Sequence, residues 1–245
     1  MLMFPFRRFT ITILPYFSPK FPFMSITKTC LSLFWALCSY FAGSAQQSNK
    51  LVPSNANMNF NPLVTYSAKW KEDKYSNCNT AANTLYLSES EKEIIWILNL
   101  IRQNPKLAVE SLLLNPKSPF YVQPSKRNHY YKSLVSTLNK IKPNSNPLFV
   151  DSAAFVSAQC HAISSGRTGY VGHERKKNEC EIDFYGECCD YGHDNPLAIV
   201  MALLLDYDVP SLGHRDICLS TDYTLIGTSI QPHKTYGYNA VLDFK

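Results

Sequence analysis

Ser88-Glu89-Ser90-Glu91-Lys92-Glu93-Ile94-Ile95-Trp96-Ile97-Leu98-Asn99-Leu100-Ile101-Arg102-Gln103-Asn104-Pro105 carries the start, body and stop of one helix. Ser88 and Glu91 stand at capping-box spacing. The Ser oxygen can accept from the third residue's N–H while Glu91 reaches back to the cap. Apolar side chains over 94–101 run nearly all round the helix, which predicts burial on more than one side. Asn104-Pro105 ends it, because a residue before proline is pushed out of the helical region.

Downstream of this helix the pattern stays helical for a long way. A short helix is expected over 108–114. Leu134, Val135, Leu138 and Ile141 fall at helical spacing within 130–142, and Pro143 stops them. Asp151 can cap a further helix reaching about residue 164, with Ala154, Ala158 and Ala162 on one stripe. Residues 166–192 are rich in Gly, Cys and charge and read as irregular. Pro196 opens an apolar helix to about residue 205, with proline well placed in a first turn. The period then changes: 225–231 and 238–244 alternate or run apolar like strands. Helices followed by late strands predict an α+β fold, with helices covering a small sheet.

Upstream, residues 46–87 are rich in Asn, Ser, Thr and Lys and lack a sustained period. They read as a linker or N-terminal arm that Cys78 ties to the domain. Further back, Lys28 supplies a positive charge, 31–41 an apolar stretch, and Gly43-Ser44-Ala45 the small residues of a cleavage site. A signal peptide is the expectation, with a buried N-terminal helix as the alternative. The apolar run is shorter than the ~20 residues of a membrane span. Residues 1–23, heavy in Phe and Pro, match no domain, and Met24 as the true start accounts for them. The organisation expected is therefore 1–45 as extension plus signal peptide, 46–87 as arm, and 88–245 as the domain. The protein is expected to be secreted or periplasmic.

The net charge of +5 does not indicate a nucleic-acid partner. Four basic residues precede Gln46 with no acidic counterpart; past them 20 basic residues face 19 acidic ones, and no Arg-rich run tracks phosphates. Cleavage after Ala45 leaves six cysteines: Cys78, Cys160, Cys180, Cys188, Cys189 and Cys218. In an exported chain all six are disulfide candidates, in any of 15 pairings. Adjacent Cys188 and Cys189 should have separate partners. A thiolate metal cluster lacks a C-x-x-C pair to support it.

Three residues stand out for chemistry: His173 in Gly-His-Glu, Glu187 in Tyr-Gly-Glu-Cys-Cys, and His214 in Ser-Leu-Gly-His-Arg. All three are expected on loops or element ends, where functional groups concentrate. Two imidazoles and a carboxylate suit Zn²⁺ with an open position. They suit acid/base work equally, and the plain alternative is that each only hydrogen-bonds locally. His161 on the Ala-lined helix reads as packed, and His193 and His233 as exposed.

Several segments, in order, resemble the cysteine-rich secretory protein, antigen 5 and pathogenesis-related 1 (CAP) superfamily. The first helix carries its Asn-x-x-Arg-x-x-Pro pattern at Asn99, Arg102 and Pro105. Asn146-Pro147-Leu148 is similar to its entry to the next long helix, and Ala158-Gln159-Cys160-His161-Ala162 to a segment of that helix. Gly172-His173, Gly186-Glu187 and Ser211-Leu212-Gly213-His214-Arg215 take the places of its cavity elements, and 223–244 resembles its closing strands. The resemblance implies an α-β-α sandwich, a small central sheet covered by helices, and a surface cleft lined by two His and two acidic residues. It implies that Asp206, or failing it Asp208, is the second acidic residue. Some members bind a divalent metal there; others bind lipids or carbohydrate-rich partners. The chain departs from the pattern where Cys188-Cys189 replaces an Asn, and a bridge there would pin the loop holding Glu187. The expected function is binding of a divalent metal, Zn first, or of a small polar or lipid ligand. The partners would be such a ligand or an extracellular protein or glycan. The rivals are a hydrolase acting through Glu187, His173 and His214 on peptide, ester or cell-wall bonds, and a disulfide-stapled interaction scaffold.

Overall fold

A computed structural model describes residues 60–175 and 180–245 of the chain. The expected signal peptide and the first part of the arm lie outside them. The capping box forms as read. Ser88 Oγ accepts from the Glu91 N–H at 3.3 Å, Glu91 Oε2 accepts from the Ser88 N–H at 2.8 Å, and helix α1 runs over Glu89–Gln103. Asn104 ends α1 and caps α2 (Pro105–Ala108), which continues through a wider turn over Val109–Leu113. Helix α3 spans His129–Lys140 and α4 spans Ser152–Thr168, with Asp151 Oδ1 accepting from the Ala154 N–H. Gly169, at φ 77°, ends α4 in the left-handed conformation that glycine reaches without strain. Helices α5 (Pro196–Leu205) and α6 (Gly213–Leu219) follow.

The strands are β1 (Phe149–Val150), β2 (Gly186–Tyr191), β3 (Leu225–His233) and β4 (Gly237–Phe244). They form one mixed sheet ordered β1-β3-β4-β2, with β1 parallel to β3 and the other pairs antiparallel. The fold is α+β. Two strands, the short β1 and β2, depart from the sequence expectation. Residues 186–191, read as irregular, are β2, and Glu187 therefore stands inside a strand rather than on a loop. Its residues pair one to one with β4 and are mostly buried, a tertiary gain that Gly, Cys and Asp do not announce.

Side chains alternate across the sheet. Ala240, Leu242, Phe244 and Cys188 join the main core with α1 and α5. Val241 and Cys189 instead pack with Ala158 and Ala162 of α4 in a second, smaller cluster. The alanine stripe lets α4 lie close. At Gly227 a Cβ would come within 2.0 Å of the Phe155 backbone nitrogen, so only glycine fits.

The described part of the arm is built into the core. Leu63, Trp70, Tyr75, Cys78, Ala81 and Leu87 are buried in the main cluster. Trp70 donates its indole N–H to Ser111 Oγ at 3.1 Å. No disulfide ties the arm among the described residues: the Cys78 thiol donates to Gln103 Oε1 at 2.7 Å. No helix among the described residues is long and apolar enough to cross a membrane.

Candidate functional site

The α4–β2 connection, α4 and β4 converge on Glu187, and the α5–α6 connection brings a second histidine beside His173. The first lies between α4 and β2. There the Gly172 carbonyl accepts from His161 Nε2 of α4 at 2.9 Å, and the Gly172 N–H donates to the Tyr191 hydroxyl of β2 at 2.9 Å. These bonds place the next residue, His173, whose Nδ1–H donates to Glu187 Oε1 at 2.9 Å. The single disulfide among the described residues, Cys160–Cys180, brackets this segment, joining α4 to the approach to β2.

The second pair comes from the α5–α6 connection. Asp206 ends α5 at φ 54°. Its Oδ1 accepts from His214 Nδ1 at 2.8 Å, while Oδ2 accepts the backbone N–H groups of His214 at 3.1 Å and Arg215 at 3.3 Å. One carboxylate thus takes up free N–H groups in the first turn of α6 and orients the imidazole on it. Arg215 is wholly buried. It donates to the Leu204 and Leu205 carbonyls at the end of α5, to the Tyr130 carbonyl and to Ser133 Oγ. In the Gly213-His214-Arg215 element, the histidine faces the site and the arginine locks its helix down. The two imidazole centroids are 5.9 Å apart. Asp206, and not Asp208, holds His214. The His173 side chain is 54% exposed and Glu187 only 3%, so the site opens on the His173 side.

Beneath Glu187 lies a buried ionic group. Glu187 and Asp243 are directly paired across β2 and β4. Arg175 bonds to Glu187 Oε2 and reaches Asp243 Oδ2 at 3.4 Å, and Ser157 Oγ of α4 donates to the same Asp243 oxygen at 2.6 Å. One guanidinium faces two carboxylates. Burial pushes Asp243 up to about 8, and the neighbouring Glu187 adds to the rise. Burial also works against ionised Glu187, but the hydrogen bonds from His173 and Arg175 win and hold it below the usual carboxylate range.

A further donor set lies inward. His161, Glu187 and Cys189 each offer a ligand atom within 4.8 Å of the others, all buried, and this group can hold a metal ion. With the His161 Nε2–H given to the Gly172 carbonyl, Nδ1 is left without a partner among the described residues. Burial lowers the His161 pKa and raises that of the Cys189 thiol. Sequence reasoning missed both as ligands. His161 lies on an alanine-lined helix face, and Cys189 reads from the sequence as a disulfide candidate. Their adjacency follows from strand alternation on β2, which required the strand to be known.

Of the six disulfide candidates, the structure joins one pair. Cys78, Cys188, Cys189 and Cys218 carry free, buried thiols; only Cys160 and Cys180 are joined. Cys188 and Cys189 point to opposite faces of β2, as adjacent strand residues do. His233, expected to be exposed, is buried. It bonds to the Tyr170 carbonyl and accepts the N–H groups of Thr235 and Tyr236, filling the β3–β4 turn. His193 is exposed and pairs with Asp190. No protein-family model matches the chain, and neither does any curated protein.

Proposed function

We propose that this is an exported CAP-type binding protein, an α-β-α sandwich, whose cleft holds a divalent cation, Zn²⁺ first, between His173 and His214. One observation carries the reading. Each histidine gives its Nδ1–H to a carboxylate, Glu187 for His173 and Asp206 for His214. That bond fixes the tautomer and leaves each Nε2 as a lone pair, the arrangement in which carboxylates orient metal-binding imidazoles. With Zn–N bonds of about 2.0 Å, two imidazole centroids in a tetrahedral shell lie roughly 5 Å apart. The 5.9 Å separation needs only a small side-chain adjustment. The Cys160–Cys180 bridge supports export, since disulfides persist in oxidising compartments.

Binding is favoured over hydrolysis because both Glu187 oxygens are engaged, by His173 and by Arg175. A carboxylate so occupied is poorly placed to take a proton from water.

Zinc titration calorimetry on the full chain tests the reading. Micromolar or tighter binding is expected, abolished in His173→Ala/His214→Ala and kept in Cys189→Ser. Binding that survives the histidine changes but falls in Cys189→Ser would move the metal to the inner His161/Glu187/Cys189 set. No binding to the wild-type chain would end the metal reading.

A further inference from the structure

Cys188 faces away from Glu187 and Cys189, towards α6. There its Sγ lies 3.9 Å from the Sγ of Cys218, and both residues are wholly buried. The Cys188 thiol also reaches the His214 carbonyl at 3.6 Å. We propose that Cys188 and Cys218 are the site of a second intrachain disulfide, which fastens the strand carrying Glu187 to the helix carrying His214.

Three observations carry this. The two sulfurs are already in van der Waals contact, and a bond of about 2.05 Å asks only that they close by roughly 2 Å, a displacement side-chain rotation can supply. Neither sulfur has a better partner among the described residues: Cys160 and Cys180 are joined to each other, Cys78 is committed to Gln103, and Cys189 packs on the α4 side. Finally, the chain already closes one disulfide, so conditions that form it also favour the second.

The oxidant is a small-molecule disulfide of the glutathione class. One cysteine thiolate attacks it, forming a mixed disulfide and releasing one small thiol. The second cysteine thiolate then displaces the other small thiol. Both protein S–H protons end on the released thiols, and two protein thiols are oxidised as one small disulfide is reduced. Neither sulfur is exposed in the folded chain, so exchange precedes complete burial. The closed loop holds both Asp206 and His214, and the cross-link shortens the slack between the two halves of the cleft.

Peptide mapping of the full chain, folded with oxidised and reduced glutathione and alkylated without reduction, tests the proposal. Trypsin separates residues 178–215 from residues 216–234, which contain Cys218. The expected product joins these two peptides, with residues 141–167 also held to the first through Cys160–Cys180. The join should vanish in Cys188→Ala, persist in Cys189→Ala, and be assigned to Cys188 by fragmentation of the wild-type product. Alkylated Cys188 and Cys218 beside an intact Cys160–Cys180 bridge would overturn it, as would a join made through Cys189. Reduction should also lower the wild-type Tm by roughly 5–10 °C more than it lowers that of Cys188→Ala/Cys218→Ala. Equal falls would count against the bond. The mapping is read without metal, so its outcome is separate from that of the zinc titration.

Discussion

Arg175, Glu187 and Asp243 form a triad in which two carboxyl groups share one guanidinium. The consequence is a pH dependence of stability with a definite sign. Asp243 has its pKa near 8 only when folded, against an ordinary value of 3.8. Between those values the folded chain binds the extra proton, so this group's stabilisation is complete below about pH 4 and is lost as pH rises through about 8. Urea denaturation should therefore show stability falling from pH 5 to pH 8.5, and Asp243→Asn should reduce the fall. Glu187, with its lowered pKa, acts in the opposite direction and loses its contribution in acid. At the cleft, Asp206→Asn should weaken zinc about 10–100-fold by calorimetry, because it alters the acceptor that orients His214 without removing a ligand. Arg102 is a structural counterpart. It is buried, and it donates to the Cys218 carbonyl in the last turn of α6 and to the Ser220 and Tyr223 carbonyls that follow. Arg102→Met strands those carbonyls and should cost about 3–5 kcal/mol in chemical denaturation.

Helix α1 is joined to the sheet through its own cap. Glu91 Oε2 completes the capping box while Oε1 accepts from the Ile230 N–H of β3 at 2.9 Å. Ser88→Ala should therefore cost only about 1 kcal/mol, the ordinary value of a lost cap. Glu91→Ala should cost more, since it also leaves a strand N–H of β3 unpaired; denaturant midpoints compare the two directly. The cap was legible because both partners lie within four residues of each other. The bond to Ile230 was not, because 139 residues separate the pair. Strand β2 shows the same limit. Its composition is poor for a strand, and its conformation comes from pairing with β4 on one side and burial between α4 and α6. Alternation along it then sorts three neighbours into different roles, with Glu187 and Cys189 towards α4 and Cys188 towards Cys218.

For the whole molecule, two ties hold distant segments to the core. Trp70 anchors the arm through burial and its bond to Ser111. Trp70→Ala should cost about 3–5 kcal/mol and open residues 60–87 to limited proteolysis before the domain itself unfolds. The Cys160–Cys180 bridge spans 20 residues and brackets His173; its loss in Cys160→Ala/Cys180→Ala should cost about 3 kcal/mol. The sequence by itself determined α1, α3, α4 and α5 and the two long strands, though not α6, because those depend on neighbours three or four residues apart or on simple alternation. It also singled out His173, Glu187 and His214 through local motifs. The tertiary structure alone decided which groups meet. Asp206 pairs with His214 because α5 ends in a left-handed turn beside α6, and Asp243 lies under Glu187 because β2 and β4 pair in that register. Arg175 bonds to both carboxyl groups, and His161 and Cys189 reach Glu187 across the α4–sheet interface. Each of these contacts joins residues on different elements, and their proximity is set by packing that no short window of sequence encodes.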